Sequence, residues 1–204
     1  MKTLIKHLLT HNLEEIVKKS LLNCHCLGVH SIMLLDCPGK TIRLYVADIG
    51  NELYKNEPGE GHKLSIAFHP HHCDLTIEVL RGGLGNWIVE HTGNVASFVI
   101  NKYFYHSKIK EDKIGFEQLR SVFLRTKAIN WYGTGESFTL KATDIHTVFC
   151  DTNKVTAWLV YEGKEDPNYI PYSYSDADLE NQSFEGLYTK PNKEDVLRLL
   201  DKIF

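Results

Sequence analysis

The 204-residue chain has no apolar run near the roughly 18–20 residues that cross a bilayer, so no membrane-spanning helix is expected. It has no surplus of positive charge. Lys and Arg number 23 against 26 Asp and Glu, and a net charge of −3 gives no basic field for nucleic acid. It also lacks paired cysteines. Cys24, Cys26, Cys37, Cys73 and Cys150 are odd in number and scattered, which argues against a disulfide framework and for reduced thiols in a cytoplasmic setting. Cys24-His25-Cys26 lacks both CxxC spacing and a second pair, so it reads as ordinary thiols rather than zinc ligands. There is no Walker loop, no G-x-G-x-x-G, no H-E-x-x-H and no G-x-S-x-G. The opening "MKTLIKHLLTHNLEEIVKK" has one short apolar stretch and no cleavage site, and does not read as a signal peptide.

What is present is β texture between two helical ends. Apolar residues at 43% and charged residues at 24% suit a globular chain long enough to bury a sizeable core. Residues 1–23 read as helical, with Asn12 and Glu15 spaced as a capping box and Leu13, Ile16, Val17 and Leu21 on one stripe. Strands are expected over 29–35, 41–49, 63–68, 74–80, 86–92 and 96–106, punctuated by Cys37-Pro38-Gly39, Pro58-Gly59-Glu60-Gly61 and Gly82-Gly83. Charged residues 107–127 include "FEQLRSVFLR", read as one short helix. Strands resume over 137–142, 146–151 and 155–163, and 193–204 closes as a helix. The organisation is thus an N-terminal helical extension (1–28), an all-β barrel or sandwich (29–163), and a C-terminal arm and helix packed on it (164–204).

The unusual stretch is "AFHPHHCDLTIEVLRGG", residues 67–83. Residues i and i+2 of a strand share a face, so His69 and His71 point one way and His72 the other. Two imidazoles on one face, with a third from another strand, make a facial metal site with open positions. His146, opening "HTVFCD", is the third candidate. The bland alternative is a set of turn histidines on a surface loop.

This stretch resembles the first motif of the cupins: G, five residues, H-x-H, three or four residues, E, six residues, G. His69-Pro70-His71 supplies the H-x-H and Gly83 the closing glycine. The acid falls on Leu75 or Thr76, and Gly61 lies two residues early for the opening glycine. Gly135 and His146 keep the spacing of the second motif, while Lys141, Thr143 and Cys150 replace its Pro, second Gly and Asn. The resemblance covers roughly residues 41–163 and implies a double-stranded β-helix, or jelly-roll, barrel. Lacking the acid, the set is similar to the three-histidine iron sites of cysteine dioxygenase-type thiol dioxygenases. That likeness implies a divalent metal, foremost Fe(II), with Ni, Zn or Mn as alternatives, on His69, His71 and His146.

Glu78 is out of phase with His69 and His71 in a continuous strand. It joins them only if a bulge resets the register, or if His71, Cys73 and Glu78 form the motif instead. His72 and Cys73 are read as additional ligands or neighbours of the site, and Arg43 and Arg81 as candidate anchors for a substrate carboxylate. Trp131, Trp158, Tyr161, Tyr169, Tyr172 and Tyr174 read mainly as packing residues, and His62, His91 and His106 as solvated. The function implied is a metal-dependent small-molecule oxygenase acting on a thiol or other bidentate substrate. The alternatives are a non-catalytic cupin that binds a small ligand or sugar, and a metal-assisted isomerase or hydrolase. The expected partner is a small molecule, with neither nucleic acid nor membrane, and the family analogy adds a homodimer.

Overall fold

Ten strands and two helices make up the fold of this computed structural model, which describes residues 2–53, 67–93, 98–110, 113–151, 153–166, 168–170, 172–181 and 185–204. The order is α1 (Lys2–Lys19), β1 (Val29–Cys37), β2 (Lys40–Ala47), β3 (Leu75–Arg81), β4 (Gly83–His91), β5 (Phe98–Lys110), β6 (Lys113–Gly133), β7 (Ser137–Leu140), β8 (Ile145–Cys150), β9 (Thr156–Glu162), β10 (Tyr172–Ser175) and α2 (Lys193–Asp201). The strands form two antiparallel five-stranded sheets, β1-β2-β9-β3-β7 and β10-β5-β6-β4-β8. After β6 the chain passes from one sheet to the other at every step through β10. This is the two-sheet, all-β architecture that a cupin-like barrel requires.

Alternation along each strand sorts the chain into layers. In β2, Leu44 and Val46 face α1 and α2, while Tyr45 between them faces the other sheet. In β9, Ala157 and Leu159 face the helices, and Trp158 and Val160 face inward. Apolar burial on both faces is why "TAWLVYE" reads as a nearly unbroken apolar run. The helices add Ile5, Ile16, Val196, Leu199 and Leu200 to the outer layer. Each such side chain contributes roughly 1.5–3 kcal/mol on full burial. Helix α2 starts with a reciprocal capping box between Asn192 and Asp195. Helix α1 is kinked at Asn12 (φ −134°, ψ 18°), the residue expected as a cap.

The second sheet curls until it closes. Residues 67–69 lie between its two edges: Phe68 pairs with Tyr174 of β10, and His69 pairs with His146 of β8. Inside the curl sit Phe68, Trp87, Val89, Ile100, Leu124, Ile145 and Phe149. The other face of β4 and β8, with Leu84 and Cys150, packs on the first sheet.

The helix expected within 107–127 is instead part of β6. There Phe98 faces Leu124 and Ile100 faces Val122 across the hairpin. Pairing along β5 overrides the helical propensity of Glu, Gln, Leu and Arg in that stretch. Within the expected arm, residues 172–175 form β10, an edge strand of the second sheet. Trp131 is not core but 53% exposed, its ring lying over Gly83 and Phe149. Residues 63–66 of one expected strand, 96–97 of another and the turn at 58–61 fall outside the described residues. No helix is long and apolar enough to cross a membrane, and all five cysteines are free thiols.

Gly85 tests the contact between β4 and β8. A Cβ there would stand 2.2 Å from the ring of buried Phe149. Gly85→Ala is expected to lose about 1–3 kcal/mol through overpacking, read as a lower urea midpoint at unchanged m-value. Gly93→Ala, whose added carbon meets nothing within 4 Å, should leave the midpoint in place.

Candidate metal centre

The site is assembled by backbone pairing. The His69 N–H donates to the His146 carbonyl (3.0 Å), and the His146 N–H returns the bond to the His69 carbonyl (3.3 Å). Residues paired this way project on one face of the sheet. Phe68 therefore turns into the curl while His69 and His146 turn toward the first sheet. His71 follows two residues on, and its N–H donates to the Ala142 carbonyl at 3.0 Å. Nitrogens of His69, His71 and His146 lie within 4.8 Å of one another. His71 Nε2 and His146 Nε2 are 2.8 Å apart.

Asn86, on the adjacent strand β4, places its Oδ1 2.8 Å from His146 Nδ1. An amide oxygen only accepts, so the His146 proton sits on Nδ1 and its Nε2 lone pair faces the other two rings. All three imidazoles are held neutral. Burial, aided by neighbouring His69, takes His146 down to about 3. Burial, then the adjacent histidines, takes His69 and His71 well below the ordinary value. The neutral ring is the form that ligates a metal.

Two buried polar atoms here, His69 Nδ1 and Asn86 Nδ2, have no hydrogen-bond partner among the described residues. Enclosed polar groups without partners are costly, and they occur where a ligand or ion completes the site. With three neutral nitrogen donors converging beside them, the residues present fit a divalent cation.

The histidines stand in a cavity of about 660 Å³ between the two sheets. Leu75, Ile77, Val148 and Val160 make much of its wall, and Tyr45 stacks on Trp158 with ring centroids 5.5 Å apart. His25 also lines it, with its ring 5.4 Å from that of His69. Burial, then nearby Arg43, lowers the His25 pKa to about 4.

The remaining candidates are dispersed. Glu78 does not reach the site. Residues 70–74 are irregular rather than strand, yet Leu75 and Ile77 of β3 line the cavity, so Glu78 turns to the opposite face. Its carboxylate instead accepts from the Tyr161 hydroxyl at 3.2 Å. His72 is exposed, and Cys73 is buried in the core cluster with its thiol pKa raised by burial. Arg81 is no anchor, because its guanidinium donates to the Lys202 and Ile203 carbonyls behind α2. Arg43 shares the inward face of β2 with Tyr45 and is paired to Glu162, a cavity-lining acid, at 2.8 Å. His62 and the His106 side chain lie outside the described residues. Asn86 and the cavity position of His25 were missed. Nothing marks Asn86 until β4 pairs with β8, and His25 reads only as the centre of a failed zinc pair.

No family model and no curated protein matches the chain. Solved structures similar to it include KdgF from Halomonas sp., at 12% identity over 68% of this chain and 83% of that one, with a TM-score of 0.35. An RmlC-like cupin from Shewanella frigidimarina shows 11% identity over 75% of this chain and 91% of that one, with a TM-score of 0.37. Hydroxypropylphosphonic acid epoxidase from S. wedmorenis shows 9% identity over 71% of this chain and 56% of that one, also at 0.37. Of these three, the Shewanella protein is a cupin by name. Similarity at this level assigns no chemistry to the chain.

Two outcomes follow from the site itself. His25, His69, His71 and His146 all have pKa values below the ordinary 6.5 in the folded chain. The unfolded chain therefore binds more protons as pH falls, and the stability present above pH 6.5 is lost toward the native values. For metal-free protein the urea midpoint should fall from about pH 7 to about pH 5, above most carboxylate titration, and fall less steeply in His71→Leu. A flat midpoint would contradict the burial of these rings. Separately, Asn86→Ala should weaken Co(II) binding about 10–100-fold in a competition titration, since the partner that orients a ligating histidine is lost.

Proposed function

We propose that the chain is a metal-dependent small-molecule oxygenase of the cupin type, with a divalent metal, foremost Fe(II), held by His69, His71 and His146. One observation carries the reading: three neutral imidazole nitrogens converge within 4.8 Å at the wall of a largely apolar cavity. The motif spacing around His69-Pro70-His71 and His146 supports it from the sequence side. A neutral donor set leaves the metal its full 2+ charge, which favours a thiolate, carboxylate or enolate in the open positions. Bound iron would supply the redox chemistry with O₂. The chain's own residues do the rest. Asn86 keeps the His146 proton on Nδ1, the His69–His146 backbone pair sets the two rings side by side, and the apolar wall limits water around the ligand.

The decisive experiment is elemental analysis of untagged protein, wild type beside His69→Ala, His71→Ala and His146→Ala. Near one equivalent of iron, lost in all three variants, together with O₂ uptake on adding a thiol, is the expected result. One equivalent of zinc or manganese without O₂ uptake would favour a metal-assisted isomerase or hydrolase. Metal indifferent to His146, or none, would leave a ligand-binding protein and overturn the proposal.

A further inference from the structure

Two segments outside the sheets close one side of the cavity. Residues 20–28 follow α1, and residues 186–190 precede α2. They are tied to each other by Leu22 N–H to the Thr189 carbonyl (2.8 Å), Tyr188 N–H to the Asn23 carbonyl (3.1 Å) and Asn23 Nδ2 to the Gly186 carbonyl (2.9 Å). Among the described residues, the only non-glycine positions with positive φ are Asn23 (51°), His25 (70°) and Tyr188 (54°), all in this clasp.

Asn23 has a local reason for that backbone. Asparagine tolerates the left-handed region, and its Oδ1 accepts from the Gly28 N–H at 3.0 Å. His25 and Tyr188 are not residues that enter the region freely, and such positions persist where the surroundings over-determine them, often at ligand sites. Their conformation brings both side chains to the cavity wall. The Tyr188 hydroxyl lies 3.1 Å from His25 Nδ1, and the rings meet edge to face at 5.8 Å. The His25 ring in turn lies 5.4 Å from that of His69. A phenol is the better donor and an imidazole nitrogen the better acceptor, so Tyr188 donates and the neutral His25 ring carries its own proton on Nε2.

We propose that His25 is a ligand-contacting residue and that Tyr188 positions it. The His25 Nε2–H binds a second polar group of a small anionic molecule whose first donor atom sits at the three-histidine site. This rests on the metal-centre reading above. The ligand class is a thiolate or carboxylate with a hydrogen-bond acceptor close beside it. Elsewhere the wall is largely apolar, so the clasp decides which way such a molecule lies.

The test uses Co(II)-loaded full-length protein and azide, an anion whose far nitrogen accepts a hydrogen bond. Cobalt content is scored first, then azide affinity from the visible cobalt spectrum. Tyr188→Phe removes one oxygen and keeps the ring, and His25→Asn keeps a residue that tolerates the backbone. Both variants should retain one cobalt and bind azide about tenfold more weakly, as expected for a lost charge-assisted hydrogen bond. The double variant should be no weaker than the worse single one, because the pair acts as a unit. Azide affinity within about twofold of wild type in both variants, with cobalt retained, would overturn the proposal. So would cobalt loss in His25→Asn alone, which would place that ring among the metal-holding groups. Wild-type protein that takes up no cobalt would overturn the underlying metal reading, and is seen before any azide is added.

Discussion

Two backbone hydrogen bonds, exchanged between His69 and His146, hold the arrangement together. With the Phe68–Tyr174 pair on the other side, they close the curled sheet between β8 and β10. They also force the two side chains to the same face, because paired residues of antiparallel strands cannot do otherwise. The closure that completes the all-β scaffold is thus the contact that sets the rings in register. His71 joins because it lies two residues from His69, and Asn86 because β4 is the neighbour of β8 on its far side.

Around this closure the strands are buried on both faces. β4 sends Trp87 and Val89 into the curl and Leu84 toward the first sheet. β9 divides its side chains between the helices and the interior in the same way. Such strands hold little freedom to slip, since a one-residue shift would exchange every apolar side chain for its neighbour on the opposite face. A rigid frame matters for a site built from three side chains, because small displacements of the donor atoms weaken metal binding and orientation.

The polar groups inside this frame are few and unusual. Burial keeps four histidine rings neutral, and two polar atoms among them have no partner among the described residues. Elsewhere charge is paired at the rim or surface, as with Arg43 and Glu162 or Lys141 and Asp74. Among the described residues two of the three buried polar atoms without a partner, His69 Nδ1 and Asn86 Nδ2, lie at the three-histidine site, and the third is Ser31 Oγ on β1. Concentrated strain and unsatisfied polarity at one place mark where a fold departs from its packing optimum for function.

Period-2 patterning determined much of this from the sequence alone. It set the strand-rich class, the shared face of His69 and His71, and the outward turn of His72, because side-chain direction alternates whatever the surrounding fold. Its place at the start of a strand, and its match to the second cupin motif, singled out His146. The strand identity of 116–125 was not legible, because pairing with β5 outweighs a helix-favouring composition. The fate of Glu78 depended on how the chain turned over Pro70–Asp74, which is decided only where Leu75 and Ile77 come to line the cavity. Arg81 reads as a free cation until the turn after α2 brings the Lys202 and Ile203 carbonyls to it. Asn86, His25 and Tyr188 gave no signal in one dimension. Their partners lie 60 and 163 positions away, and only tertiary closure brings such groups within hydrogen-bond reach.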